Sequence, residues 1–304
     1  MSNLSGARAN GLYVEVTGDG PDLVLLHGWA LNLRVWDSLV VELRDRFRLI
    51  TIDLPGHGRS TWGPGHGTPA AQAWLIHQTL EEISARYSLL GWSLGGQIAL
   101  DLAAATPGQV NRLVLVGATA KFAASADWPH GMAPEVIARL AESLRTDYHR
   151  TVNDFLELQV RGSADSEQVL QQLRQSLLAH GEATPEALAA GLNTLANSDL
   201  RPTLEHVRTP ALVIAGQYDR ITSPQASSAL AAALPEGKFT QIRRAAHAPF
   251  LSHLGEFSKL LESFLGGARP RPAAKTKRPR MKARARKKVV LKKVVLKKRR
   301  ASKK

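Results

Sequence analysis

The sequence predicts an α/β protein: a mostly parallel sheet flanked by helices and interrupted by an all-helical insertion. Three observations predict it. Short apolar runs alternate with amphipathic segments along most of the chain, as expected for a parallel sheet with helices on both faces. Several of those runs stop at Gly or Pro, where such sheets place their loops and ligand sites. Strand signals cease between Lys121 and Asn197, and helical patterns replace them.

In chain order, Tyr13–Val16, Leu23–Leu26, Leu49–Ile52, Ser88–Leu90, Leu113–Val116, Leu212–Ala215 and Phe239–Ile242 read as strands. Gln97 to Ala105, closed by Pro107, reads as a helix, and Glu256 to Leu265 as the last one. Within the insertion, Val169, Leu170, Leu173, Leu177 and Leu178 share one face at helical spacing. Thr184-Pro185-Glu186 supplies an N-cap, a proline at the first helical position and an acid in the first turn. An insertion at this point is placed to cover the strand ends as a lid. The expected organisation is residues 1–120 and 198–268 as two parts of one core, 121–197 as the lid, and 269–304 as a separate tail.

From Arg269 to Lys304 the chain carries 19 of its 40 Lys and Arg and no Asp or Glu, leaving 21 basic residues against 26 acidic ones elsewhere. The net charge of +14 therefore belongs to the tail, and the body is mildly acidic at −5. Pro270, Pro272 and Pro279 interrupt the tail, and its repeated Lys-Lys-Val-Val-Leu gives no coherent apolar face when wound as a helix. Disorder is expected there. Such a segment suits nucleic acid or another polyanion, bound by counterion release with steep salt dependence, or no dedicated partner.

The 44% apolar content is typical of a globular protein. No apolar run approaches the ~18 residues of a membrane span, and Met1 to Asn10 lack the apolar stretch of a secretory signal. Absence of cysteine excludes disulfides, thiolate nucleophiles and Cys-ligated metals, and fits a reducing, cytoplasmic setting. No histidine pair stands at metal-ligand spacing with acidic neighbours. No metal or cofactor is expected, and the chain is read as a monomer without membrane contact.

The most informative segment is Gly91-Trp92-Ser93-Leu94-Gly95-Gly96, which follows a strand and precedes a helix. Gly-x-Ser-x-Gly in that setting lifts a serine clear of the backbone on a strained turn. A serine hydroxyl needs a base, and the base an orienting carboxylate. Their usual chain order here is Ser, acid, His. Asp219 follows the strand ending at Ala215, and His247 follows the one ending at Ile242. A turn or N-cap role competes for Asp219. His253 competes with His247 but is better read as belonging to the last helix. Asp53 also follows a strand, yet it precedes Ser93.

One oxyanion amide comes from the residue after the nucleophile and the other from an early loop. These are the backbone N–H groups of Leu94 and Trp29. His27 is read as bracing its loop, and His57 and His66 as loop residues. Trp29, Trp92 and Leu94 are expected to line the site, with Phe155, Leu156 and Leu158 closing it from the insertion. That lining favours an acyl or otherwise apolar substrate portion over a sugar or a nucleotide.

With these residues placed, the chain resembles the α/β-hydrolase superfamily from Leu12 to Leu265. Within it, the chain is similar to the pimeloyl-[acyl-carrier protein] methyl ester esterases of biotin synthesis. The resemblance rests on Leu23 to Trp29 with Leu31-Asn32, Asp53-Leu54-Pro55-Gly56-His57-Gly58-Arg59-Ser60, Gly91 to Gly96, and Phe155-Leu156-Glu157-Leu158-Gln159. The His-Gly-Trp, Gly-Trp-Ser-Leu-Gly and Phe-Leu-x-Leu-Gln combination is the specific part. It implies a serine carboxylesterase that releases methanol from a pimeloyl chain on acyl carrier protein. It also implies substrate contacts at Trp29, Ser93, Leu94, Phe155, Leu156, Glu157, Leu158, Gln159 and His247. Of the family's carrier-docking arginines on the lid, Arg150 matches one; the other positions fall on Asp154, Glu167 and Gln171, with Arg139, Arg145, Arg161 and Arg174 nearby. The basic tail is outside the family pattern and would also suit an acidic carrier. Two other readings share features of the chain: an enol-lactonase or carbon–carbon bond hydrolase, with the same triad and a different lid, and a nucleic-acid-associated protein acting through the tail.

Overall fold

Successive strand residues face opposite sides of a sheet, and in this chain both sides are apolar. Leu23, Leu25, Leu90 and Val114 enter one buried cluster; Val24, Leu26, Leu89 and Leu113 enter the other. Strands of this kind need cover on both faces. A computed structural model of the chain describes residues 6–163 and 165–266. The tail expected at 269–304 lies outside the described residues.

β1 (Ala7–Ala9), β2 (Leu12–Thr17), β3 (Asp22–Leu26), α1 (Asp37–Leu43) and β4 (Arg48–Ile52) come first. α2 (Pro69–Glu81), β5 (Tyr87–Trp92), α3 (Leu94–Ala105) and β6 (Val110–Val116) follow. Four helices are then inserted: α4 (Pro134–Thr146), α5 (Tyr148–Val160), α6 (Ser166–His180) and α7 (Pro185–Asn197). β7 (Ala211–Gly216), α8 (Pro224–Ala233), β8 (Gly237–Ile242), α9 (Pro249–Ser252) and α10 (Leu254–Leu265) complete the described chain.

The strands form an 8-stranded sheet in the order β1-β2-β4-β3-β5-β6-β7-β8. β1–β2 and β2–β4 pair antiparallel, and every later neighbour pairs parallel. Helices α1, α9 and α10 bring Leu39, Leu43, Phe250, Phe257 and Leu261 onto one face. α2, α3 and α8 bring Ile76, Leu80, Ile98, Leu102 and Leu230 onto the other. The short β1 was not anticipated, because Ala-Arg-Ala carries no strand signal and forms only by pairing with β2.

The two ends of the insertion are tied together. Lys121 and Asp199 form an isolated bridge, and the Leu200 N–H donates to the Ala120 carbonyl at 2.8 Å. Thr184 caps α7 by accepting from the Ala187 N–H at 3.2 Å. One expectation for α6 needs correction. Val169 and Leu173 are buried and Leu170 and Leu177 partly so, but Leu178 is 78% exposed. At 100° per residue it has turned off the apolar stripe. No described helix is long and apolar enough to cross a membrane.

Candidate active site

β5 runs directly into Ser93 and α3 begins at Leu94, so the turn has no spare residue. Ser93 takes φ 56° and ψ −115°, a conformation that penalises any residue with a Cβ and persists only where surroundings enforce it. The enforcement is close approach. A Cβ on Gly91 would strike the Gly95 carbonyl, and one on Gly95 would strike that of His27. The Ser93 N–H donates to the Val116 carbonyl at 2.9 Å, which ties the turn to β6.

Asp219 lies on the loop after β7 and His247 on the loop after β8; both are buried. His247 Nδ1 is 2.7 Å from Asp219 Oδ2. The other carboxylate oxygen accepts from the N–H groups of Ile221 and Thr222, each at 2.9 Å. The aspartate thus makes the turn anticipated as its competing role, with one oxygen, while the other faces the imidazole. Gly117, beyond β6, is the space that admits the pair: a Cβ there would lie 2.9 Å from His247 Nδ1 and 3.1 Å from Asp219 Oδ2. His247 Nε2 is buried and, among the described residues, without a hydrogen-bond partner. It makes no hydrogen bond to Ser93 in this state.

The Trp92 ring lies against the ring of His247, with centroids 5.5 Å apart, and packs behind it on Trp36 and Phe250. Its indole N–H donates to the His247 carbonyl at 2.9 Å, so it braces the histidine loop.

The loop after β3 holds His27 to Asn32. His27 braces it as expected: Nδ1 meets the Gly28 carbonyl at 2.8 Å and Nε2 accepts from the Leu54 N–H at 2.9 Å. Burial pushes the His27 pKa down, against the pull of Asp53. His57 is a loop residue, but a buried one with its ring centroid 5.3 Å from that of His27 in an edge-on arrangement. Burial, then the charge of His27, lowers its pKa to about 3. Asp53 plays no part beside His247. It accepts from the Leu33 and Arg59 N–H groups, at 2.8 and 2.9 Å. His66 accepts from the Gly63 N–H in its own loop, and His253 precedes α10 with its ring on Ser252. The Leu94 N–H opens α3 and has no intrahelical acceptor.

The insertion packs against these groups. The Trp29 and Phe155 rings meet edge to face at 4.8 Å, and a Cβ on Gly191 of α7 would lie 2.5 Å from Trp29 Cδ1 and 3.4 Å from Leu94 Cδ2. The Gln159 carbonyl accepts from the His247 N–H at 2.9 Å, and its side-chain Oε1 is buried and, among the described residues, without a partner. Phe155 and Leu158 join the cluster of Trp29 and Leu94; Leu156 joins that of Val169 and Leu173 instead. Glu157 turns to Arg174 and Asn153 on the outer side of α5, at 3.0 and 3.1 Å. Arg150 is exposed on α5, near Asp154. Neither the space at Gly117 nor the bracing by Trp92 is legible in the sequence; only a Gly after a strand hints at the first.

The alpha/beta hydrolase fold family is matched by residues 21–254. A protein of Nitrosomonas europaea named pimeloyl-[acyl-carrier protein] methyl ester esterase is 44% identical over 81% of this chain and 96% of its own length. One of the same name from Stenotrophomonas maltophilia is 41% identical over 85% of this chain and 98% of its own. A thermophilic esterase from Thermogutta terrifontis superposes with a TM-score of 0.72 at 27% identity, over 84% of this chain and 93% of its own.

Proposed function

The chain belongs to the pimeloyl-[acyl-carrier protein] methyl ester esterases of the α/β-hydrolase fold, and we propose that it cleaves the methyl ester of a pimeloyl chain on acyl carrier protein with Ser93, His247 and Asp219 as its triad. The observation that carries the reading is the buried 2.7 Å contact between His247 and Asp219, on the two loops that follow β7 and β8.

In this mechanism His247 Nε2 takes the Ser93 proton while Asp219 holds the opposite nitrogen and steadies the imidazolium. The alkoxide adds to the ester carbonyl. The developing oxyanion meets the N–H groups of Trp29 and Leu94, the latter at the positive end of α3. Collapse expels methanol with the proton from His247. Water, deprotonated by the same ring, cleaves the acyl-enzyme; the carboxylate leaves and Ser93 regains its proton.

The acyl chain lies against Trp29, Leu94, Phe155 and Leu158, and the unpartnered Gln159 Oε1 awaits a donor from the substrate. Leu156 and Glu157 hold α5 to α6. Residues 121–197 act as the lid. Arg150 is one docking point for an acidic carrier protein, and a biosynthetic role of this kind belongs in the cytoplasm.

The test is mass-spectrometric turnover of methyl pimeloyl-acyl carrier protein, beside enol-lactones and diketones, with rescue of biotin auxotrophy in cells lacking the esterase. Turnover of the carrier-bound ester and rescue by the wild type but not by Ser93→Ala is expected. Preference for a lactone or diketone, with no rescue, would refute the assignment.

A further inference from the structure

The C-terminal end of α6 lacks the closure that most helices make for themselves. Its last carbonyls need donors, and Gly181, at φ 99° and ψ 156°, forms no capping bond of its own. The donors come from the core. Asn32, fully buried, gives its side-chain N–H groups to the carbonyls of Ser176 and Gly181, at 3.0 and 3.2 Å. Its Oδ1 meanwhile accepts from the Arg34 N–H at 3.0 Å. One carboxamide therefore joins the loop that carries Trp29 to the insertion.

A second tie runs the other way. His180, the last residue of α6, reaches into the core and places Nε2 3.0 Å from Asp53 Oδ2, a polar contact that falls short of hydrogen-bond alignment. Asp53 is the group that accepts from the Leu33 N–H of the same loop. Burial opposes its ionisation, but His180, the charge of His27 and the amides of Arg59 and Leu33 together outweigh that and hold the carboxyl below its ordinary range. Between Trp29 and Leu33 the backbone is strained: Ala30 takes φ 66°. Strain of that sort needs neighbours that over-determine it, and Asn32 and Asp53 fix the residues that follow it by accepting from the Arg34 and Leu33 N–H groups.

We infer that Asn32 and His180 are positioning residues of the hydrolase site. Together they lock the oxyanion-donor loop to the end of α6, so that the Trp29 N–H and the lid are held in one register. Neither touches the reacting atoms; both act through the loop at 29–33. The inference rests on the triad reading above, and a short activated ester keeps the two separable. A wild-type protein that fails to hydrolyse p-nitrophenyl acetate refutes the triad, whereas the inference is judged on variants of an active one.

Three variants are compared, with rates normalised to sites titrated by a fluorophosphonate: Asn32→Asp, which keeps the Arg34 bond and loses the two donors, His180→Leu, and His180→Gln. An ångström-scale misplacement costs up to about a hundredfold in rate. We expect kcat per titrated site to fall about tenfold in Asn32→Asp and about fivefold in His180→Leu, with His180→Gln close to wild type because its amide can still donate to Asp53. Amide exchange at Leu33 and Arg34 should quicken together with that at 176–181. Should Asn32→Asp fail to fold, the two His180 variants decide. Unchanged kcat per titrated site in His180→Leu, whatever its melting temperature, overturns the inference.

Discussion

The indole N–H of Trp29 donates to the carbonyl of Leu188, 3.0 Å away and 159 residues later in the chain. A residue on the loop after β3 is thereby fastened to the last helix of the insertion. The same side chain meets Phe155 of α5 and the bare backbone of Gly191. The loop proposed to supply an oxyanion donor is therefore also the surface against which the helical insertion packs.

Gly191→Ala should lift α7 from Trp29, since the new methyl would sit 2.5 Å from Cδ1. Overpacking of this degree costs about 1–3 kcal/mol. The KM for long acyl esters should rise about tenfold while kcat on p-nitrophenyl acetate changes less. Steady-state kinetics on both esters, with indole fluorescence as a monitor of the contact, checks it. Equal effects on both would mean that the lid does not bind the acyl chain.

Ser93→Ala should lower turnover by about 10⁴ or more and leave the melting temperature near that of the wild type. Ser93→Gly should be as inactive but more stable by about 1 kcal/mol, because glycine alone is free at φ 56°. Thermal melts of the two variants decide. A glycine variant no more stable than the alanine one would show that the turn stores no strain.

Asp219→Asn should cost about 10³–10⁴ in kcat with a much smaller change in KM. The Ile221 and Thr222 amides keep their acceptor in the asparagine oxygen, so circular dichroism should be unchanged. A variant retaining more than about a tenth of wild-type kcat would argue that His247 needs no orienting carboxylate.

Acid should destabilise this protein through His57. The folded ring has a pKa of about 3 because it is buried and next feels His27, whereas in the unfolded chain it titrates near 6.5. The unfolded state thus binds the extra proton. The contribution to stability is fully present above about pH 6.5 and is lost as pH falls toward 3. His57→Gln should flatten the decline between pH 6 and pH 4 by about 2–3 kcal/mol. Urea midpoints at four pH values test this; parallel curves for the two proteins would remove His57 as the cause.

Much of this protein was legible in its residues alone. Alternating apolar runs and their glycine stops located seven strands to within three residues at each end, most plainly the central ones, because a strand buried on both faces must be apolar throughout. The serine turn was legible because its glycines are demanded by local backbone contact. Asp219 and His247 were legible as residues following late strands, but their 2.7 Å contact was not. That depends on β7 and β8 lying side by side and on the empty space at Gly117. Nor does any local pattern reveal that Trp92 braces His247, that Glu157 faces outward, or that Asn32 caps a helix 144 residues away. Periodicity reports which way a side chain leaves its own element. What it meets there is decided by another segment of chain, and only tertiary packing brings the two together.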